Sequence, residues 1–274
     1  MRKTNFINIC SLLFALITAV AAGYGLYHPD VYIIKEPGYL RLVGNQDFAI
    51  LAIFVPLLLT STWLAAQGHF RGTLIWLGAV GYLGYVFSSY SFSGVSPKLF
   101  LLHIAITAFS FFLLFSKLAT INSEEIRLRF TPVTPFRFTA FYMIVNAFLI
   151  GTLWLPEILP LFPRWFLKVP LVNFQNGLAV QVLDLTFLGP LCLLAGFWLY
   201  FRKAVGYVLT AGLLVIIPAK FGTMILGFDL ILKDQTNIVV SLLTFVALAV
   251  LICFLKKLKE EKLTSYHDRL SNSF

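Results

Sequence analysis

Eight apolar runs, each of about 20 residues, divide the chain, and a helix of that length covers the roughly 30 Å hydrocarbon core of a bilayer. The runs fall at about residues 6–27, 47–67, 73–93, 98–120, 138–158, 179–201, 205–231 and 236–256. Composition agrees: 59% of the 274 residues are hydrophobic and 12% charged, against about 25% charged in a typical soluble domain. The expected fold class is therefore all-α, a polytopic transmembrane helix bundle of about eight spans. Soluble enzymes, nucleic-acid-binding domains and disulfide-rich secreted scaffolds are excluded, and lipid is the first expected partner.

Basic residues near span ends stay in the cytoplasm, so their distribution gives the orientation. With the N-terminus inside, fourteen of the 21 Lys and Arg residues fall on the cytoplasmic side, among them Arg71, Arg127, Arg202 and Lys203. Six fall outside, and Lys220 lies within a span. Both termini are expected in the cytoplasm of a cell, or inner, membrane. Arg2 and Lys3 ahead of an apolar stretch ending at Ala19-Val20-Ala21 resemble a secretory signal, but the apolar part is long for a signal core and reads as a retained helix. The Lys256-Lys257-Leu258-Lys259 run is expected to continue the last helix into a basic cytoplasmic tail, 257–274, that meets anionic headgroups. Cys10, Cys192 and Cys253 lie within spans, far apart, and read as buried reduced thiols without metal spacing.

One transmembrane domain, 1–256, is expected, with halves at 6–120 and 138–256. Pro56 is followed 16 residues later by Gly72 past a basic turn, and Pro190 is followed 16 residues later by Gly206 past another. Trp63 and Trp198 sit in matching stretches, and Asp47 and Asp184 precede the two prolines. Each half reads as four helices with a long outer connection, 28–46 or 159–178, and the two halves run parallel. Gly44-Asn45-Gln46-Asp47 leading to Pro56, Gly81-Tyr82 with Tyr85, Val182-Leu183-Asp184 before Pro190, Gly206-Tyr207-Val208-Leu209 and Lys220 resemble a family of bacterial multi-pass membrane proteins without an assigned activity. That resemblance implies a bacterial inner membrane and no catalytic residue.

Intramembrane charge costs about 2.5–3.5 kcal/mol on insertion scales, so it calls for a partner or a function. Asp184 lies 18 residues before Arg202, and Lys220 lies 17 after Lys203. At about 1.5 Å per residue the two stand level on adjacent antiparallel helices. Either they form an ion pair that fixes helix packing, or they line an outward-facing pocket for an anionic or zwitterionic headgroup. Separation within about 4 Å in a dry interface marks the first, and charges set apart around water mark the second. Gln46 and Asp47 at the start of the second span, Tyr82, Tyr85 and Ser89 on one face of the third, His103 and Gln181 complete the expected binding set, a single outer vestibule. Each has a plainer reading: a cap for Asp47, interfacial placement for the tyrosines, packing for His103, and an interhelical hydrogen bond for Asn146. The loop Glu124–Arg129 reads as a solvated connection, and 159–178, with Arg164, Trp165 and Lys168, as a headgroup-layer segment and lid.

No phosphate loop, zinc-protease helix or nucleophile turn occurs. Haem would want two intramembrane ligands, and His103 is the single His inside a span. No metal or cofactor is expected, and these absences weigh against an enzyme. The leading reading is binding or transport of a small polar solute or lipid headgroup, with Lys220 as anion contact and Asp184 as its partner or proton carrier. A non-catalytic subunit bound to a protein partner, and a lipid-modifying enzyme with His103 or Asp184 as base, are the alternatives.

Overall fold

The computed structural model describes residues 2–33, 37–93, 97–130, 136–158, 179–227 and 235–259. Among these the chain is helical, with nine helices: α1 (Arg2–Tyr27), α2 (Pro37–Ala49, Ile50–Phe54 and Val55–Ala66 end to end), α3 (Phe70–Ser93), α4 (Pro97–Leu118), α5 (Ser123–Arg129), α6 (Arg137–Ile158), α7 (Ala179–Leu183, Asp184–Leu188 and Gly189–Tyr200 end to end), α8 (Ala204–Gly227) and α9 (Gln235–Lys256). Seven of them are long and apolar enough to cross a membrane. The chain is an all-α integral membrane protein. Two helices lie outside those seven: α5, with seven residues, and α3, which has 24 residues, long enough to span, but carries glycine, serine and tyrosine along its length. Its polarity has a physical reason: 16 of its residues are buried, so protein rather than lipid surrounds it.

Helices α2 and α7 are built alike. Each contains a five-residue π-helical turn, Ile50–Phe54 or Asp184–Leu188, running into a 12-residue α-helix with proline at its second position. Proline has no N–H and its ring crowds the carbonyl four residues back, so the preceding turn widens. The bonds that close it run from Val55 N–H to the Ile50 carbonyl and from Gly189 N–H to the Asp184 carbonyl. Each helix then ends in a three-residue turn to a 24-residue helix, α3 or α8. In both turns the middle residue is left-handed, Gly68 at φ 87° and Arg202 at φ 54°. The same two hydrogen bonds satisfy the last carbonyls: Gly68 to Ala65 and His69 to Leu64, matched by Arg202 to Leu199 and Lys203 to Trp198. Every boundary from the wide turn onward is displaced by 134 positions, 50 to 184, 55 to 189 and 70 to 204.

The core sits where α3 and α8 cross. A Cβ on Gly78 would lie 2.8 Å from the Gly212 carbonyl oxygen and 2.3 Å from Val215 Cβ, so bare backbone lets the two helices touch. Of the seven apolar helices α8 is the most enclosed, 61% buried along its span against 22–44% for the others. Around this pair α2 and α4 pack on α3, and α7 and α9 pack on α8, with α1 and α6 outermost.

Several expectations are corrected. The first outer connection is shorter than 28–46, because α2 begins at Pro37. Gln46 and Asp47 therefore stand well inside that helix, which removes the capping role for Asp47. Glu124–Arg129 forms helix α5, capped by Asn122 and with Ile126 fully buried. The last helix stops at Lys256; Leu258 is buried, and Lys259 N–H bonds to the Arg129 carbonyl. Arg71 fastens this end of the helix, donating to the carbonyls of Leu255 and Leu258 at 3.1 and 2.7 Å. Of the cysteines, Cys192 is buried, Cys10 half-buried and Cys253 exposed on the outer surface of the bundle. The connection 159–178 and the tail beyond 259 lie outside the described residues.

Candidate functional site

Asp184 opens the wide turn of α7, and its side chain is completely buried. Lys220 of α8 donates to Oδ2 in direct contact. Trp154 Nε1 of α6 donates to the same oxygen at 2.7 Å, and the Tyr85 hydroxyl of α3 donates to Oδ1 at 2.8 Å. The carboxylate is thus held by one cation and two neutral donors from three helices. Charge-assisted bonds of this kind are stronger than neutral ones and offset part of the desolvation of the pair. Lys220 is not enclosed to the same degree: 16% of its side chain is exposed, and it makes one hydrogen bond among the described residues. An ammonium has three donors. Its remaining interaction is with the Tyr85 ring, whose centroid is 5.4 Å from Nζ.

The other expected site residues do not converge on this centre. Tyr82 donates to the Thr223 hydroxyl at 3.2 Å, on α8 one turn beyond Lys220, and its ring packs against Phe54. Ser89 bonds back to its own helix at the Val86 carbonyl. Asp47 belongs to a second cluster with Tyr32 and Tyr90. His103 is buried against the rings of Phe87 and Tyr90. Gln181 has a buried Oε1 without a hydrogen-bond partner among the described residues, and Gln46 is half-buried. The single vestibule is therefore corrected to two centres, one on Asp184 and one on Asp47. Asn146 bonds to the Tyr142 carbonyl of its own helix instead of reaching across. No three of His, Cys, Asp and Glu among the described residues converge as a metal would require.

Three site residues escaped the sequence reading: Trp154, Tyr32 and Tyr90. Trp154 passes for an interfacial belt residue, since Pro156 and Glu157 follow it. A half-buried indole inside an apolar bundle still needs an acceptor, and Asp184 supplies one from another helix. Tyr32 falls in what reads as an outer loop. The spacing of Tyr90 puts it off the face of Tyr82 and Tyr85, and that difference is why it serves the other acid.

Fold and site together define a multi-pass helical membrane protein with two enclosed carboxyl centres, one of them paired to a lysine. Comparison with protein-family models, with curated proteins and with solved structures finds no match for this chain. The motif resemblance to a bacterial membrane family gains no support from it.

Proposed function

We propose that this integral membrane protein binds a small anionic or zwitterionic group, free in solution or on a lipid head, at Lys220, and carries it across the membrane. The observation that supports this reading is the asymmetry of the ion pair: Asp184 is sealed and fully hydrogen-bonded, while Lys220 is partly exposed with donors to spare. An incoming anion takes the place of the carboxylate on the ammonium, and Asp184 takes up a proton. The buried charge then sums to zero before and after, which avoids an uncompensated ion in low dielectric. The centre lies between the chain's halves, Tyr85 coming from α3 and the rest from α6 to α8, as in transporters built from parallel repeats. In this reading α1–α4 and α6–α9 are the moving bodies, with both termini cytoplasmic as the basic residues are distributed.

Direct contact between Asp184 and Lys220 meets the distance that marks a packing pair and favours a second reading, a packing device in a non-catalytic subunit. Thermal unfolding of the purified full-length protein in neutral detergent separates the two. Inorganic phosphate, acetate and a dispersed anionic lipid are titrated in turn. Binding at 100 times Kd stabilises by about 2.7 kcal/mol, and the expected Tm rise with one of these probes disappears in the Asp184→Asn/Lys220→Met double variant. A rise with phosphate or acetate identifies a solute, and a rise with lipid alone a headgroup. No rise with any probe, or the same rise in the double variant, leaves the packing device.

A further inference from the structure

A different concentration of charge lies at the end of α8 away from Lys220. Arg202 and Lys203 sit in the turn that leads into α8, and Lys220 follows Lys203 by 17 residues, about 25 Å along the helix axis. Phe130, Phe136 and Tyr207 meet at this end: Phe130 lies 5.3 Å from Phe136 and 4.9 Å from Tyr207, centroid to centroid, and Phe136 lies 5.1 Å from Tyr207. All three rings are buried. Cations reach this aromatic group from three separate elements. Lys257, just past α9, has its Nζ 5.3 Å from the Phe136 centroid. Arg127 of α5 and Arg202 both stand close enough to the Tyr207 hydroxyl for their charges to act on it. Glu124 and Glu125 pair with Arg127 and Arg129 inside α5, at 2.6 and 2.9 Å. The Arg127 pair is open to solvent, and an exposed pair of this kind binds its arginine only weakly.

The backbone of Arg202 marks this place as more than a turn. It is held at φ 54°, in the left-handed region, where the matching turn has Gly68. That conformation is unfavourable for a residue with a Cβ and free for glycine. Strained residues gather at ligand clamps, and here the strained residue is the one that brings a guanidinium to the aromatic group. Like charges assembled from three elements repel one another, so the arrangement favours a shared anion. A guanidinium offers the forked pair of donors that fits a phosphate. Beside it, Phe197, Trp198 and Phe201 are exposed on the outer surface of α7 and its turn. Apolar surface next to the cations suits acyl chains, which a free phosphate ion lacks.

We propose that Arg202, Lys257 and Arg127 bind the phosphate of an anionic phospholipid where α5, the turn between α7 and α8, and the end of α9 come together. The headgroup sits on the cations and the acyl chains lie along Phe197, Trp198 and Phe201. Basic clusters between helix ends at the membrane surface hold anionic headgroups in this way. The site is separate from the Lys220 centre, and this inference does not rest on anion binding there.

Native mass spectrometry of the delipidated full-length protein in neutral detergent tests it, with phosphatidylglycerol, phosphatidylcholine and inorganic phosphate titrated separately. Phosphatidylglycerol is expected to bind about tenfold more tightly than phosphatidylcholine, with Arg202→Gly and Lys257→Gln each weakening it about fivefold and the double variant about 25-fold. Arg202→Gly takes the form of turn that Gly68 already makes, so loss of binding there is not loss of fold. Lys98→Gln, which removes an exposed cation at the start of α4, is expected to leave the affinity unchanged. Asp184→Asn/Lys220→Met is expected to retain the binding, which reads this site apart from Lys220. Equal binding of the two lipids, unchanged affinity in the double variant of Arg202 and Lys257, or an equal loss in Lys98→Gln overturns the site. Phosphate bound as tightly as phosphatidylglycerol overturns its assignment to a lipid.

Discussion

Asp184 shows how much depends on a single pairing inside a membrane. Its carboxylate is buried completely, so removing Lys220 alone leaves a charge with only Tyr85 and Trp154 to hold it. Stranding one member of a buried pair costs about 3–5 kcal/mol, whereas neutralising both together costs far less. Lys220→Met is therefore expected to lower stability in a denaturant series by about that amount, with most of the loss recovered in Asp184→Asn/Lys220→Met. Equal losses in the single and double variants would mean that the carboxylate is not charged through Lys220. The pairing was legible in the sequence because both residues can be counted from the same basic turn, along helices of fixed rise. Its neutral donors were not. A tyrosine or tryptophan meets an acid across helices only by virtue of the rotation of each helix about its axis, and an apolar run on every side gives no periodic signal to fix that rotation.

Helix ends were more legible than helix interiors. Polar turns interrupt the apolar runs at 67–69 and 201–203, and the helices stop there to within a residue or two. The start of α2 was not, since Pro37–Gln46 is too polar to read as span yet continues the same helix. The wide turns at Ile50–Phe54 and Asp184–Leu188 were equally hidden: proline announces a distortion but not its form. The paired turns carry a prediction of their own. Gly68 and Arg202 occupy the same left-handed position, but only glycine adopts it without strain from a Cβ. Arg202→Gly should raise stability by about 1 kcal/mol, and Gly68→Arg should lower it by a similar amount. Chemical or thermal unfolding reads both, and a loss of stability in Arg202→Gly would show that the guanidinium contributes more than its backbone costs.

For the molecule as a whole, what matters is how α3 and α8 come together, since every other spanning helix is arranged around them. Gly78 and Gly212 are themselves 134 positions apart, the displacement that relates the boundaries of their helices, and they lie opposite each other at the crossing. When a residue meets its own counterpart, a twofold relation passes through the contact, as in a symmetric dimer. The two sides are not equivalent in detail, and that makes the crossing testable. On Gly78 an added Cβ meets Val215 and backbone at under 3 Å, but on Gly212 its nearest neighbours are 3.9 Å away. Overpacking of this kind costs about 1–3 kcal/mol, and filling open space on a helical glycine gains up to about 1 kcal/mol. Gly78→Ala is thus expected to lower the unfolding midpoint, and Gly212→Ala to leave it level or raise it. The same displacement of α3 moves Tyr85 relative to Asp184 and Tyr82 relative to Thr223, because both bonds cross from α3 to α7 or α8. Gly78→Ala should therefore also weaken any probe response at Lys220, while Gly212→Ala retains it. If both variants lost stability alike, the close approach at Gly78 would not be what sets the spacing of α3 and α8.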